Sequence, residues 1–216
     1  MRKIQIVTGE YYHIYNRGVD KRQVFLEQYD VDRFLQSMEE FNTVDPIGSI
    51  YQNSFRETTK LKSDTIVDII CFCINPNHFH LLLRQKKDKG IEKFMHRLGV
   101  GYSRYFNERN HRSGSLFQGT YKAIHIDSNK YLLYLSAYIN LNNKVHKLSN
   151  LVTKLTKSSW AEYTTANYHE KKFCNTKIIQ EQFSSKKEYK EFAEEALQYI
   201  KERKDLYYEL QHFLLE

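Results

Sequence analysis

The chain has 216 residues, 41% of them hydrophobic, with 17 Tyr and 13 Phe but only 8 Gly and 2 Pro. That composition excludes collagen-like, linker-like and turn-dense all-β classes, and it supplies enough apolar mass for a sizeable core. The formal charge is +7, and the segment from Ser185 to Glu216 holds six Lys/Arg against eight Asp/Glu, a net of −2, which leaves +9 on the rest; a basic, aromatic body suits an anionic polymer with unpaired bases.

The first strand signal is Glu10 to Tyr15, stopped by the turn cluster Asn16-Arg17-Gly18. A helix is predicted over Tyr29 to Phe41, with Val31, Phe34, Leu35 and Met38 on one face. From about Asn42 to Ser63 the chain is polar and without period, which reads as an insert or long connection, with Ile50-Tyr51 as a short strand. The strongest strand follows, Thr65 to Ile74; Asn75-Pro76-Asn77 turns it, and His78 to Leu83 runs back as the second arm of a hairpin. A second helix is predicted from Ile91 to about Asn107, a polar basic loop from Asn110 to Gly119, and a strand from Tyr121 to Ile126. Asp127 or Ser128 caps a helix running to about Asn142. Ser185-Lys186-Lys187-Glu188 forms a capping box that opens a long amphipathic helix.

The order strand–helix–strand–strand–helix–strand predicts an α+β fold, a ferredoxin-like split βαβ antiparallel sheet with helices on one face, plus a C-terminal helical extension. The expected domains are residues 8–165, carrying the chemistry, and residues 166–216, the extension. No run of about 18 apolar residues occurs, the N-terminal segment lacks an apolar stretch of signal-peptide length, and three cysteines do not suggest a disulfide framework. The expectation is a cytoplasmic protein with no membrane partner.

His78-Phe79-His80 is the sharpest local signal. Strand residues i and i+2 share a face, so two imidazoles stand side by side within reach of one metal ion. The pattern also fits two partly buried histidines satisfied by backbone or water. Cys71 and Cys73 on the partner strand invite a zinc reading, but their spacing matches no common structural zinc site, and core packing suits them better. Tyr134, Tyr138, Asn142 and His146 recur every four residues and would share one helical face, bringing a phenol and an amide oxygen together.

The stretch from Asn75 to Leu83 resembles the HUH motif of single-tyrosine transposases, and within them the REP-associated tyrosine transposases. Three further stretches are similar to the same family: His13 to Gly18; Tyr105 to Arg109 continuing through Gly114 to Lys122; and Tyr131 to Asn142. The resemblance runs from about Tyr11 to Tyr163, in order. It implies Tyr138 as the nucleophile, His78 and His80 as the metal pair and Asn142 as the third metal ligand. The sequence departs from the family pattern at Asn140, where His is usual, at Asn143, where Pro is usual, and at Thr120, where Arg is usual.

What the resemblance implies is metal-dependent nicking and strand transfer on single-stranded or hairpin DNA through a 5′-phosphotyrosine, with Mg2+ or Mn2+ as the ion. Arg17, Arg84, Arg104, Arg109, Arg112 and Lys122 are the candidate DNA contacts. Tyr138 would act on its own chain's metal site or, in a homodimer, on another's. Two rivals stand beside this reading. One is a domesticated hairpin binder of DNA or RNA that does not cleave; the other is a structural zinc protein using Cys71, Cys73, His78 and His80.

Overall fold

The computed structural model of the chain describes residues 5–55, 64–145, 155–169 and 172–213. Five antiparallel strands make one sheet: β1 (Tyr11–Arg17), β2 (Val67–Asn75), β3 (His78–Gln85), β4 (Lys122–Ile126) and the short β5 (Lys157–Ser158), in the order β4-β1-β3-β2-β5. The first four strands, with α1 (Gln28–Glu40) between β1 and β2 and α3 (Gly90–Arg109) between β3 and β4, reproduce the expected split βαβ order.

Local chemistry explains where the elements start. The Asp30 carboxylate accepts the backbone N–H groups of Leu26 (2.8 Å) and Glu27 (3.2 Å), which caps α1. Ile50 and Tyr51, expected in a strand, lie instead in the short helix α2 (Ile50–Ser54), because the Ser49 side chain accepts from the Gln52 N–H at 3.0 Å and closes a helical turn there. The β2–β3 turn is tighter than the three residues expected: Asn75 and His78 already pair, leaving Pro76-Asn77 as the two-residue loop.

The sheet's two faces are covered differently. Tyr12, Ile14, Phe72, Ile74, Phe79, Leu81 and Leu83 pack against α1 and α3, the two crossover helices, which share one face as the split βαβ order requires. The opposite face carries Cys71, Cys73 and Leu82, and it is covered by α4 (Asn129–Asn140) and by helices that follow it. Those include α5 (Asn142–Val145), α6 (Trp160–Thr164), α7 (Lys177–Gln180) and α8 (Lys186–Phe213). Of α8, Tyr189, Ala193, Ala196 and Leu197 enter this second core. Its start keeps one half of the expected box, with the Glu188 N–H donating to Ser185 Oγ at 3.2 Å, while the Glu188 carboxylate reaches one residue further back and accepts the Ser184 N–H at 2.6 Å. No helix among the described residues is long and apolar enough to cross a membrane.

A β-bulge between Ile69 and Cys71 has a large effect on the face of β2. In an unbroken strand Val67, Ile69, Cys71, Cys73 and Asn75 would all point the same way. The extra residue lets Val67 and Ile69 join the α1/α3 core while Cys71 and Cys73 face α4. Asn75, two residues beyond Cys73, is thereby turned to the side of His78.

Candidate functional site

The candidate site is built on the central strands and roofed by α4. On β3 the alternation Phe79, Leu81, Leu83 into one core leaves His78, His80 and Leu82 on the other side. Antiparallel pairing sets Tyr15 opposite His80 and Arg17 opposite His78 on β1, and Cys73 opposite His80 and Asn75 opposite His78 on β2. Residues opposite one another share a face, so two strands contribute polar neighbours to the histidine pair.

The helix α4 begins where Ser128 Oγ accepts the Tyr131 N–H at 3.3 Å and is held down by buried Leu132, Leu135 and Ile139. It ends at Asn140, and Asn142 starts α5. The unbroken face expected through Tyr134, Tyr138, Asn142 and His146 is therefore interrupted at Leu141. Tyr134 turns to Phe192, with ring centroids 5.4 Å apart, and His146 lies outside the described residues. Tyr138 meets His80 edge to face at 5.7 Å and His13 at 6.5 Å. Burial raises the Tyr138 phenol above its ordinary value, and the Asn142 amide works against that rise.

His78 is closely tied. Its Nδ1 lies 2.6 Å from Asn77 Oδ1 and its Nε2 lies 3.1 Å from Asn75 Nδ2 and 3.3 Å from Asn142 Oδ1. A carbonyl oxygen only accepts, and each ring nitrogen faces one, so a neutral His78 donates either from Nδ1 to Asn77, the shorter contact, or from Nε2 to Asn142; donation from Nδ1 leaves a lone pair on Nε2. The Asn75 Nδ2 group also donates to Asn142 Oδ1 at 2.8 Å. In the Nδ1–H form of His78, one amide NH2 faces the lone pairs of both His78 Nε2 and Asn142 Oδ1. Asn142 is fully buried, and Asn75 Oδ1 has no hydrogen-bond partner. Two imidazoles and an amide oxygen form a borderline-to-hard donor set suited to a divalent cation; this is the fit of the implied metal to the residues present.

His13 and Asn75 are the neighbours the sequence reading did not assign. His13 Nε2 lies 2.8 Å from His80 Nδ1, and burial lowers His13 to about 4, so it is neutral at ordinary pH. The His-x-Tyr alternation of His13 and Tyr15 was the available signal, since it matches the period of the His-x-His pair.

Cys71 and Cys73 share the face of the histidines but are fully buried, and burial pushes the Cys73 thiol up to about 12 and the Cys71 thiol well above its usual value. Neutral thiols are poor metal ligands. Among the described residues no group of three or more His, Cys, Asp and Glu is gathered to hold a metal ion.

The six candidate DNA contacts are dispersed. Arg17 and Lys122 line a cavity of about 290 Å³ together with Tyr15, His78, His80 and Gln118, and the Lys122 ammonium stands 6.0 Å over the Tyr15 ring. Arg84 lies towards the far end of β3, bonded to the Gly9 carbonyl at 3.1 Å. Arg104 pairs with Glu108 at 2.8 Å and Arg109 with Glu27 at 2.9 Å, both on α3 across the sheet. Arg112 donates to Asn107 Oδ1 at 2.7 Å in the loop after α3.

The departures from the resemblance also have places. Asn140 points away from the histidines: its Nδ2 donates to the Tyr189 hydroxyl at 2.9 Å and its Oδ1 accepts from Ser159 Oγ at 2.6 Å. The backbone N–H of Asn143 faces the Cys73 sulfur, a donor that proline lacks. Thr120 is exposed.

The family model described as IS200-like transposase matches residues 6–142. Among solved structures, a REP-associated tyrosine transposase bound to a REP hairpin is similar in fold, with a TM-score of 0.52 at 12% identity over 75% of this chain and 83% of that one. A transposase structure from Deinococcus radiodurans matches with a TM-score of 0.38 at 18% identity, over 64% of this chain and 95% of the other. No curated protein matches the sequence.

Proposed function

The chain belongs to the IS200-like transposase family, and from that premise we propose that it nicks single-stranded DNA through Tyr138 and transfers the strand through a 5′-phosphotyrosine. The observation that carries the reading is the meeting of Tyr138 with His80 at 5.7 Å, in a site where His78 Nε2 and Asn142 Oδ1 lie 3.3 Å apart. These groups belong to one chain, which supports a tyrosine acting on its own subunit's site.

In the proposed step the Tyr138 oxygen bonds to the scissile phosphorus as the bond to the 3′-oxygen breaks. The phenol proton goes to solvent, and the departing 3′-oxygen takes one up. The phosphodiester's energy is kept in the Tyr–phosphate bond, so a later 3′-hydroxyl attack reverses the chemistry and joins strands. His78, His80 and Asn142 would hold Mg2+ or Mn2+, which when bound supplies charge stabilisation at the phosphate oxygens. Asn77 fixes the ring of His78 through its Nδ1, and the buried roof of α4 restricts Tyr138 to one side of the site. Arg17 and Lys122 supply positive charge along the cavity, where a DNA backbone would pass.

The similar solved structure is bound to a REP hairpin, which supports a hairpin as the first substrate class to try. The experiment is incubation with Mn2+ and labelled single-stranded hairpins, read as a denaturant-resistant protein–DNA adduct. An adduct is expected for the wild type and is expected to vanish in Tyr138→Phe and His78→Ala. An adduct surviving in Tyr138→Phe overturns the nucleophile, and binding with no adduct favours a domesticated binder.

A further inference from the structure

His13 stands on β1 inside the face that carries His78 and His80. Its Nε2 is 2.8 Å from His80 Nδ1, and the two rings lie edge to edge with centroids 5.1 Å apart and planes 24° from parallel. Both are buried, and Tyr15 lies against each, at 4.9 Å from His13 and 5.7 Å from His80. Only one proton fits between two nitrogens at that distance, so the contact has a direction. A neutral imidazole has one N–H and one lone pair. If His80 donates from Nδ1, its Nε2 keeps the lone pair that a cation needs. If His13 donates, the His80 proton sits on Nε2 and that atom cannot ligate.

We propose that His13 is a positioning residue whose Nε2 accepts the Nδ1–H of His80, holding His80 in the tautomer that keeps the lone pair on Nε2, as ligation of a divalent cation requires. The inference rests on the reading of His78, His80 and Asn142 as the cation site. Ligating histidines commonly give their other N–H to a carboxylate, a carbonyl or a water; here a second imidazole occupies that position. His78 offers a parallel inside the same site where it donates from Nδ1 to Asn77 Oδ1, the shorter of its two contacts with a carbonyl oxygen. Both histidines of the pair then donate from Nδ1 and keep the lone pair on Nε2. The anchor of His80 comes from a neighbouring strand, so its register with β1 sets the tautomer.

The test has two arms. In nitrogen-15 spectra of the metal-free wild type, the His80 proton is expected on Nδ1; a proton on Nε2 overturns the proposal without any variant. In Mn2+ titrations followed by electron paramagnetic resonance, His13→Phe is expected to weaken binding about 10- to 100-fold. His13→Gln, whose amide oxygen can accept, is expected to recover part of the loss, a rescue that loss of packing alone would not give. If His13→Phe binds Mn2+ as the wild type does while His80→Ala does not, the role of His13 is refuted and the cation site stands. If the wild type itself binds no Mn2+, the cation site fails and this inference falls with it.

Discussion

The Asn140 side chain donates to the Tyr189 hydroxyl at 2.9 Å, joining the last residue of α4 to the first turns of α8. Asn140 also accepts from Ser159, whose Oγ accepts the Phe72 N–H of β2 at 3.0 Å, and the Tyr189 hydroxyl contacts Ser136 Oγ at 3.2 Å. A buried polar network thus locks the end of the helix that carries Tyr138 to both the sheet and the C-terminal helix. The residue that departs from the family pattern beside the candidate nucleophile is a packing node on the opposite side of α4. Tyr189→Phe leaves the Asn140 donor unpaired in the core and is expected to cost about 1–3 kcal/mol, read from urea unfolding midpoints.

The placement of the basic residues separates their expected effects. Arg17→Ala and Lys122→Ala, beside the histidines, should each weaken binding of single-stranded DNA and reduce the salt slope by about 0.7 for each phosphate that is no longer neutralised. Arg84→Ala should leave both nearly unchanged. Fluorescence anisotropy over a range of salt concentrations measures this; an equal weakening in Arg84→Ala would mean that the strand runs along the far end of the sheet.

Glu162 gives a pH signature unrelated to the candidate site. Its carboxylate accepts the N–H groups of Phe173 and Cys174, at 3.1 and 2.9 Å. Burial raises its pKa, and although those bonds and nearby lysines oppose the rise, the net direction is upward. A carboxyl with a raised folded pKa contributes stability that is full below the unfolded carboxylate range and is lost as pH rises through the folded value. Unfolding midpoints of Glu162→Gln relative to wild type should therefore increase from about pH 4 to about pH 7. A constant difference would show that the burial is offset.

Gly90 opens α3 where a Cβ would meet the carbonyl oxygen of Ile66. That oxygen already accepts the N–H groups of Lys86 and Lys87, so it has little room to shift. Gly90→Ala should cost about 1–3 kcal/mol, as overpacking does, measured by thermal or urea unfolding. Gly99→Ala, with nothing near its Cβ position, is the contrasting variant and should be neutral or slightly stabilising.

Much of this molecule follows from sequence period alone. The alternation in His78 to Leu83 determines that the two histidines share a face, because successive strand side chains must point oppositely, and the strand–helix order determines the split βαβ topology. Ser128 and Ser185 mark helix starts because their hydroxyls answer orphan N–H groups within three residues. At Ile50-Tyr51 the β propensity of the two side chains yields to the local cap from Ser49. Other features depended on contacts between segments distant in the chain. The bulge at Ile69 to Cys71, which turns Asn75 towards His78, leaves no periodic trace. The meeting of His13 with His80 spans 67 residues and exists only because β1 pairs beside β3. The tether from Asn140 to Tyr189 required the C-terminal helix to fold back on the sheet. Periodicity specifies which side of an element a residue occupies; which residues oppose it is decided by register and packing, which only the folded chain supplies.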